Sequence, residues 1–427
     1  MNDILEHRLS NGLTVLTRES HAAPLVSFFT WYRVGARNEP LGLSGASHWV
    51  EHMLFKRTKT LNPGDIGRLV NGVGGTWNGF TSEDATAYYE TVPKDHVGVA
   101  LQIESDRMVN AVFDPDDVAS ERTVIISERE GNESSPMFLL GEAIEQAAFT
   151  VHPYGHGVIG SKADLNTMTR EDLYGYYRRH YGPDTAVVVA VGDFETSKLL
   201  TQVEGAFGAY TPVQRPAGEI PVEPEQTDGR RVEVHHPGPY PILVVSHHVP
   251  PMAHKDFFAL MALDALLSGP KAGAFGGGGT LRTSRLYQRF VASGLAAGAG
   301  SDLGINIDPT LMRIVVVLKP GSERSPVEAA VMEEIKRLVD APPSDDELAR
   351  AVRQARAKQA IALESVTSQA IWAGFLATTY THAIAPAYTD RLAAVTPADV
   401  HRAAQVYLRP QNRITGWFIP SASNGAA

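Results

Sequence analysis

Two histidines four residues apart, with a glutamate beside the second, make the run from Ser44 to Lys56 (SGASHWVEHMLFK) the part of this sequence best equipped for chemistry. Ala46, Trp49, Val50, Met53 and Leu54 recur at helical spacing and predict an amphipathic helix with one buried stripe. His48, Glu51, His52 and Phe55 fall on a neighbouring stripe. Residues four apart share a helix face, so both imidazoles can reach a single ion while Glu51 projects beside them. Two imidazole ligands and a free carboxylate close by are what water activation on zinc requires. Glu51 is therefore the candidate base.

A catalytic zinc takes a third protein ligand and keeps one position for water. The best candidate lies in Asp116–Gly131, where Asp114-Pro115-Asp116 signals a helix start. Val118, Glu121, Ile125 and Glu128 then share a face, and Glu128 stands 76 positions after His52. Glu121, two turns earlier on that face, can hydrogen-bond a ligand from behind. Glu130 competes for the third place, but it projects about 200° around the helix from Glu128. The other histidines lack such company. His152 and His156 flank a Pro-Tyr-Gly turn, while His235, His236, His247 and His248 lie on or beside predicted strands, and all are read as structural or surface residues.

Elements must hold these groups in place. Strand-like runs at Leu13–Thr17, Leu25–Val34 and Thr185–Val191 bracket several helices in the first half. Arg231–His236, Ile242–Val249, Met312–Leu318 and Arg413–Phe418 do the same in the second. Strands around helices without a βαβ rhythm predict an α+β fold of two structurally similar domains, each a largely antiparallel sheet with helices packed on it. The seam is Thr211–Arg231, rich in Pro and Glu. The expected division is a zinc-binding catalytic domain over 1–210, a linker over 211–231, a second domain without the motif over 232–419, and a flexible tail over 420–427. A glycine-rich run, Gly273–Gly279, is too irregular for a phosphate loop and reads as a mobile linker tip or an element of substrate admission.

Composition narrows the function. The 427 residues carry a net charge of −10, which argues against nucleic acid as the main partner. There is no cysteine, so a metal site must be built from His and carboxylates. No signal peptide and no run of about 20 apolar residues is evident, giving an expectation of a cytoplasmic or periplasmic protein without a membrane span.

The motif order H-x-x-E-H is the inverzincin signature. Together with LSNGLTVL, VGARNEP, the ERTVIISE helix, HPYG at His152–Gly155, YYRRHYGPDTAVVVAVGDF and SRLYQ at Ser284–Gln288, it resembles the pitrilysin/insulinase family of zinc peptidases, especially its small bacterial branch akin to mitochondrial processing peptidase. The resemblance implies one zinc per chain held by His48, His52 and Glu128, with Glu51 as general base and Glu121 behind the ligands. It also implies that Gly75–Asp84 is an edge strand on which substrate backbone adds, with Asn78 and Gly79 as the substrate-contacting pair. One departure matters. Family members that act as single chains carry an Arg and a Tyr seven positions apart after SRLYQ; here those places fall on Phe290 or Val291 and on Ala297. The resemblance thus implies a heterodimeric endopeptidase in which a homologous partner supplies the Arg/Tyr pair. The alternatives are a non-catalytic assembly subunit and a self-sufficient homodimer.

Overall fold

Apolar alternation and apolar runs become two sheets. The computed structural model describes residues 3–213, 219–271 and 280–421, so Gly273–Gly279 and parts of the expected linker and tail lie outside it. In the first sheet, β1 (Leu5–Arg8), β2 (Thr14–Glu19), β3 (Leu25–Tyr32), β4 (Thr76–Thr81), β5 (Thr86–Pro93) and β6 (Ala186–Gly192) are ordered β1-β2-β6-β3-β5-β4. The second holds β7 (Arg230–Pro237), β8 (Ile242–Val249), β9 (Gly298–Leu303), β10 (Thr310–Val317) and β11 (Arg413–Ser421) in the order β7-β11-β8-β10-β9. Only β2–β6 and β7–β11 are parallel. Strand for strand, β2-β6-β3-β5-β4 and β7-β11-β8-β10-β9 have the same order and the same directions of pairing. The expected α+β duplication is thus present in the topology.

Why these residues form strands is plain at the centre of each sheet. Every residue of β6 (AVVVAVG) is buried, as befits a β-branched run covered on both faces. β4 (TWNGFT) instead sits at the sheet edge, with Thr76 and Asn78 exposed and the other four residues half-buried. The strand at Arg413 runs on to Ser421, two residues into the expected tail, because it pairs with β7 as far as Pro237.

Contacts divide the chain into two compact units that do not follow a single cut at the linker. The first comprises 1–130, 156–221 and 363–386; the second comprises 131–155, 222–362 and 387–427. The helix Pro136–Ala148, from the first half of the sequence, packs Leu140 and Ile144 against Ile242, Ile414 and Phe418 of the second sheet. The helix Val366–Thr379, from the second half, packs on β3 and β6. That approach is close: a Cβ on Gly374 would lie 2.0 Å from the Trp31 ring nitrogen, so only glycine fits there. Each half therefore gives one helix to the other half's sheet. A helix's apolar stripe specifies that it needs a sheet, not which one.

Candidate metal centre

The motif helix spans Ala46–Met53, with Ala46, Trp49, Val50 and Met53 buried as the stripe predicts. It packs on β4 and β5. The second carrier, Pro115–Glu133, buries Val118, Glu121 and Ile125 and leaves the Glu128 side chain 44% exposed. The motif helix and the second carrier as far as Glu130, with all the ligands, belong to the first unit.

These helices bring three donors together. His48 Nε2 and His52 Nε2 lie 3.2 Å apart, and Glu128 Oε2 is 3.9 Å from the first and 3.7 Å from the second. It is the one group of three or more His, Asp or Glu donors of metal-binding compactness among the described residues. A point equidistant from the three atoms lies about 2.1 Å from each, which is a zinc–nitrogen or zinc–oxygen bond length. Two imidazole nitrogens at 3.2 Å repel through their lone pairs unless a proton or a cation lies between them, so the donor set fits a metal ion. Glu130 is turned away, 3.4 Å from Lys162, and takes no part.

Neighbouring groups orient the ligands. His52 donates from Nδ1 to Glu121 Oε1 at 2.8 Å, which leaves Nε2 as the lone-pair nitrogen facing the donor cluster. Lys56 lies 2.5 Å from the other Glu121 oxygen. Burial would raise the Glu121 carboxyl, but the bonds from His52 and Lys56 hold it low, as a carboxylate. At His52, burial alone would favour the neutral ring, yet the Glu121 bond and the charges of Glu51, Glu121 and Glu128 raise its value. Burial, with His52 adjacent, pushes His48 down to about 3 and keeps it a neutral ring.

Glu51 is buried beside the cluster, and burial raises its carboxyl value, partly offset by a hydrogen bond from Thr81. That donor, Thr81 Oγ1 at 2.6 Å from Glu51 Oε2, is a site residue the sequence reading missed. Its signal was period two: Trp77, Gly79 and Thr81 alternate along β4 onto one face, the face toward the motif segment. On the same face a Cβ at Gly79 would meet the Phe55 ring at 2.8 Å, so Phe55 occupies the space an alanine methyl would need. Asn78 is exposed, and its Oδ1 accepts the Gly79 N–H at 2.9 Å. In the second unit Phe290 is buried, Val291 half-buried and Ala297 exposed, within and just after a π-helical turn at Tyr287–Ala292. Arg289 there is held by Glu333 at 2.5 Å.

Fold and donor set together define a class: two-unit α+β chains with an inverted zinc-peptidase motif on a helix of the first unit. Residues 14–162 match the family described as insulinase (peptidase family M16), and 167–355 match its companion, described as the M16 inactive domain. The chain is 30% identical to an uncharacterized zinc protease of Mycobacterium leprae, over 73% of this chain and 68% of that one. It is 26% identical to the mitochondrial-processing peptidase subunit beta of Blastocladiella emersonii, over 94% and 85%. A protease structure from Helicobacter pylori superposes over 98% of this chain and 100% of that one, with a TM-score of 0.91 and 24% identity. The chain belongs to peptidase family M16.

Proposed function

We propose that this chain is a zinc endopeptidase that cleaves peptides or unfolded polypeptides with Glu51 as general base. The observation that carries the reading is the meeting of His48, His52 and Glu128 around one point of zinc-bond radius, with the buried Glu51 carboxylate at its side. The zinc proteases among the relatives lend support. Bound zinc would supply a lowered water pKa and an electrophile for the scissile carbonyl.

The chain's own residues do the rest. Glu51 takes the proton of the attacking water, and Thr81 holds its Oε2 in place. The same carboxyl then passes that proton to the leaving amine. Substrate backbone adds to β4, the edge strand of the first sheet on which the motif helix packs. To do so it displaces the Asn78 side chain from the Gly79 N–H, so Asn78 covers the edge until peptide arrives. The oxyanion needs donors that Phe290, Val291 and Ala297 cannot provide, which supports a homologous partner subunit carrying an Arg/Tyr pair.

The test is cleavage of a quenched fluorescent peptide by the purified chain loaded with zinc, beside Glu51→Gln. The variant should keep stoichiometric zinc and lose turnover; an active Glu51→Gln sinks the assigned role. Activity of the chain alone, on the order of 1 per second or more, removes the need for a partner.

A further inference from the structure

The two ligand-bearing helices come from segments more than sixty residues apart, and one segment, a turn leading into the short helix Lys162–Thr167, ties them together. On its motif-helix side, the Ser44 N–H donates to Asp164 at 3.0 Å, the Ser44 hydroxyl donates to the same carboxylate oxygen, and the Ser161 N–H donates to the Ser44 hydroxyl at 3.0 Å. Backbone meets backbone here: a Cβ on Gly160, whose φ is +80°, would stand 2.1 Å from the Ser44 carbonyl oxygen. On its other side, two guanidinium groups of the glutamate helix donate to the segment's carbonyls. Arg129, buried and next in sequence to Glu128, reaches the Gly160 oxygen at 2.5 Å. Arg122 reaches the Leu165 oxygen, and the Met168 oxygen at 2.7 Å, while its guanidinium lies 4.7 Å over the Trp49 ring of the motif helix.

We infer that the segment 157–168 is a brace that sets the distance between the histidine pair and Glu128, and that Arg129 is the positioning residue through which the brace fixes the third ligand. The physical reason is leverage. Glu128 is the most exposed of the three ligands and has a long, freely rotating side chain. His52 is steered by Glu121, whereas among the described residues no hydrogen bond steers Glu128. Its place is set instead by where its helix lies, and the residue beside it anchors that helix at Gly160, against the N-terminus of the motif helix. Rigid placement of a ligand-bearing element lowers the ordering cost of coordination.

The inference rests on the zinc site proposed above, and the experiment separates the two. Zinc affinity of the full chain is measured by competition with a chromogenic chelator, and the absorption of the cobalt(II)-loaded protein reports ligand geometry. Three proteins are compared: wild type, Arg129→Met, and Asp164→Asn, which loosens the other end of the brace. Both variants should bind zinc ten- to a hundredfold more weakly, the range for groups that orient ligands, and should shift or weaken the cobalt d–d bands. The double variant should lose less than the product of the single losses, because both act through one brace. Wild type that takes up no zinc removes the site itself. Wild type that binds while both variants match its affinity within twofold, with unchanged cobalt spectra, overturns the brace. Should Arg129→Met fail to fold, Asp164→Asn alone decides, since a merely structural role would lower the melting temperature and leave metal affinity intact.

Discussion

At the scale of single residues, the centre is built from spacing that sequence displays and contacts that it hides. The pairing of His48 with His52 was legible because four residues is one helical turn, and Glu128 because it closes the face that starts at Val118. Thr81 was legible only as far as its face of the strand: alternation puts it with Trp77 and Gly79, but nothing local to GTWNGFTSED says that its hydroxyl meets a carboxylate thirty residues earlier in the chain. Its role yields a test. Thr81→Val keeps the shape and β-propensity but removes the donor to Glu51. A hydrogen bond to a charged group is worth about 1.5–3 kcal/mol, so kcat should fall roughly ten- to a hundredfold with zinc content unchanged. Unaltered kcat in steady-state peptide cleavage would leave Glu51 oriented by other means.

At the scale of elements, the long apolar strands were legible and the atypical ones were not. β6 and β8 announce themselves as valine-rich runs, whereas β1 (LEHR) is short and polar and β9 (GAGSDL) opens on glycine and alanine, which carry little strand preference. β8 also carries a cost that shows only with pH. His247, fully enclosed between β10 and β11, is pushed down to about 3 by burial and by the nearby charges of Arg413 and His248. The unfolded chain holds that proton up to about pH 6.5, so it binds more protons than the native chain between the two values. Stability contributed by the neutral ring is therefore present above about 6.5 and is lost as pH falls toward 3. Each pH unit costs about 1.4 kcal/mol, giving about 2–3 kcal/mol between pH 6.5 and 4.5. In His247→Leu the acid loss of unfolding free energy should be smaller by that amount; parallel pH profiles for the two proteins would contradict it.

At the scale of the whole molecule, the sheets repeat a plan while the chemistry does not. The helix Phe257–Ser268 follows β8 as the motif helix follows β3. There Asp264 accepts the Ser301 hydroxyl from β9 at 2.5 Å, just as Glu51 accepts Thr81 from β4, and Lys271 at 3.1 Å supplies the positive charge. A strand-to-helix hydrogen bond to a buried carboxylate is thus present in both units, while the metal-donor group among the described residues is in the first alone. The two-sheet plan was legible in the strand runs, but the exchange of helices, which keeps the compact units from following one cut at the expected linker, was not, because the choice between two distant sheets is not written in a helix's own stripe. It predicts an asymmetry in how the chain tolerates cutting. Nicking between residues 213 and 229 should leave the two fragments co-eluting in gel filtration, since each holds a helix the other's sheet requires. The halves expressed separately should instead be insoluble or unfolded by circular dichroism. A soluble, folded 1–213 fragment would refute this.

The exchange also ties the histories of the two halves together. A substitution at Trp31 is answered not by its neighbours in sequence but by Gly374, more than three hundred residues away, and one at Ile144 by Phe418. Neither half can drift, recombine or be replaced from a relative alone without its counterpart helix. Swaps between relatives should succeed when helix and strands travel as a set, even where the set breaks the linear order of the gene.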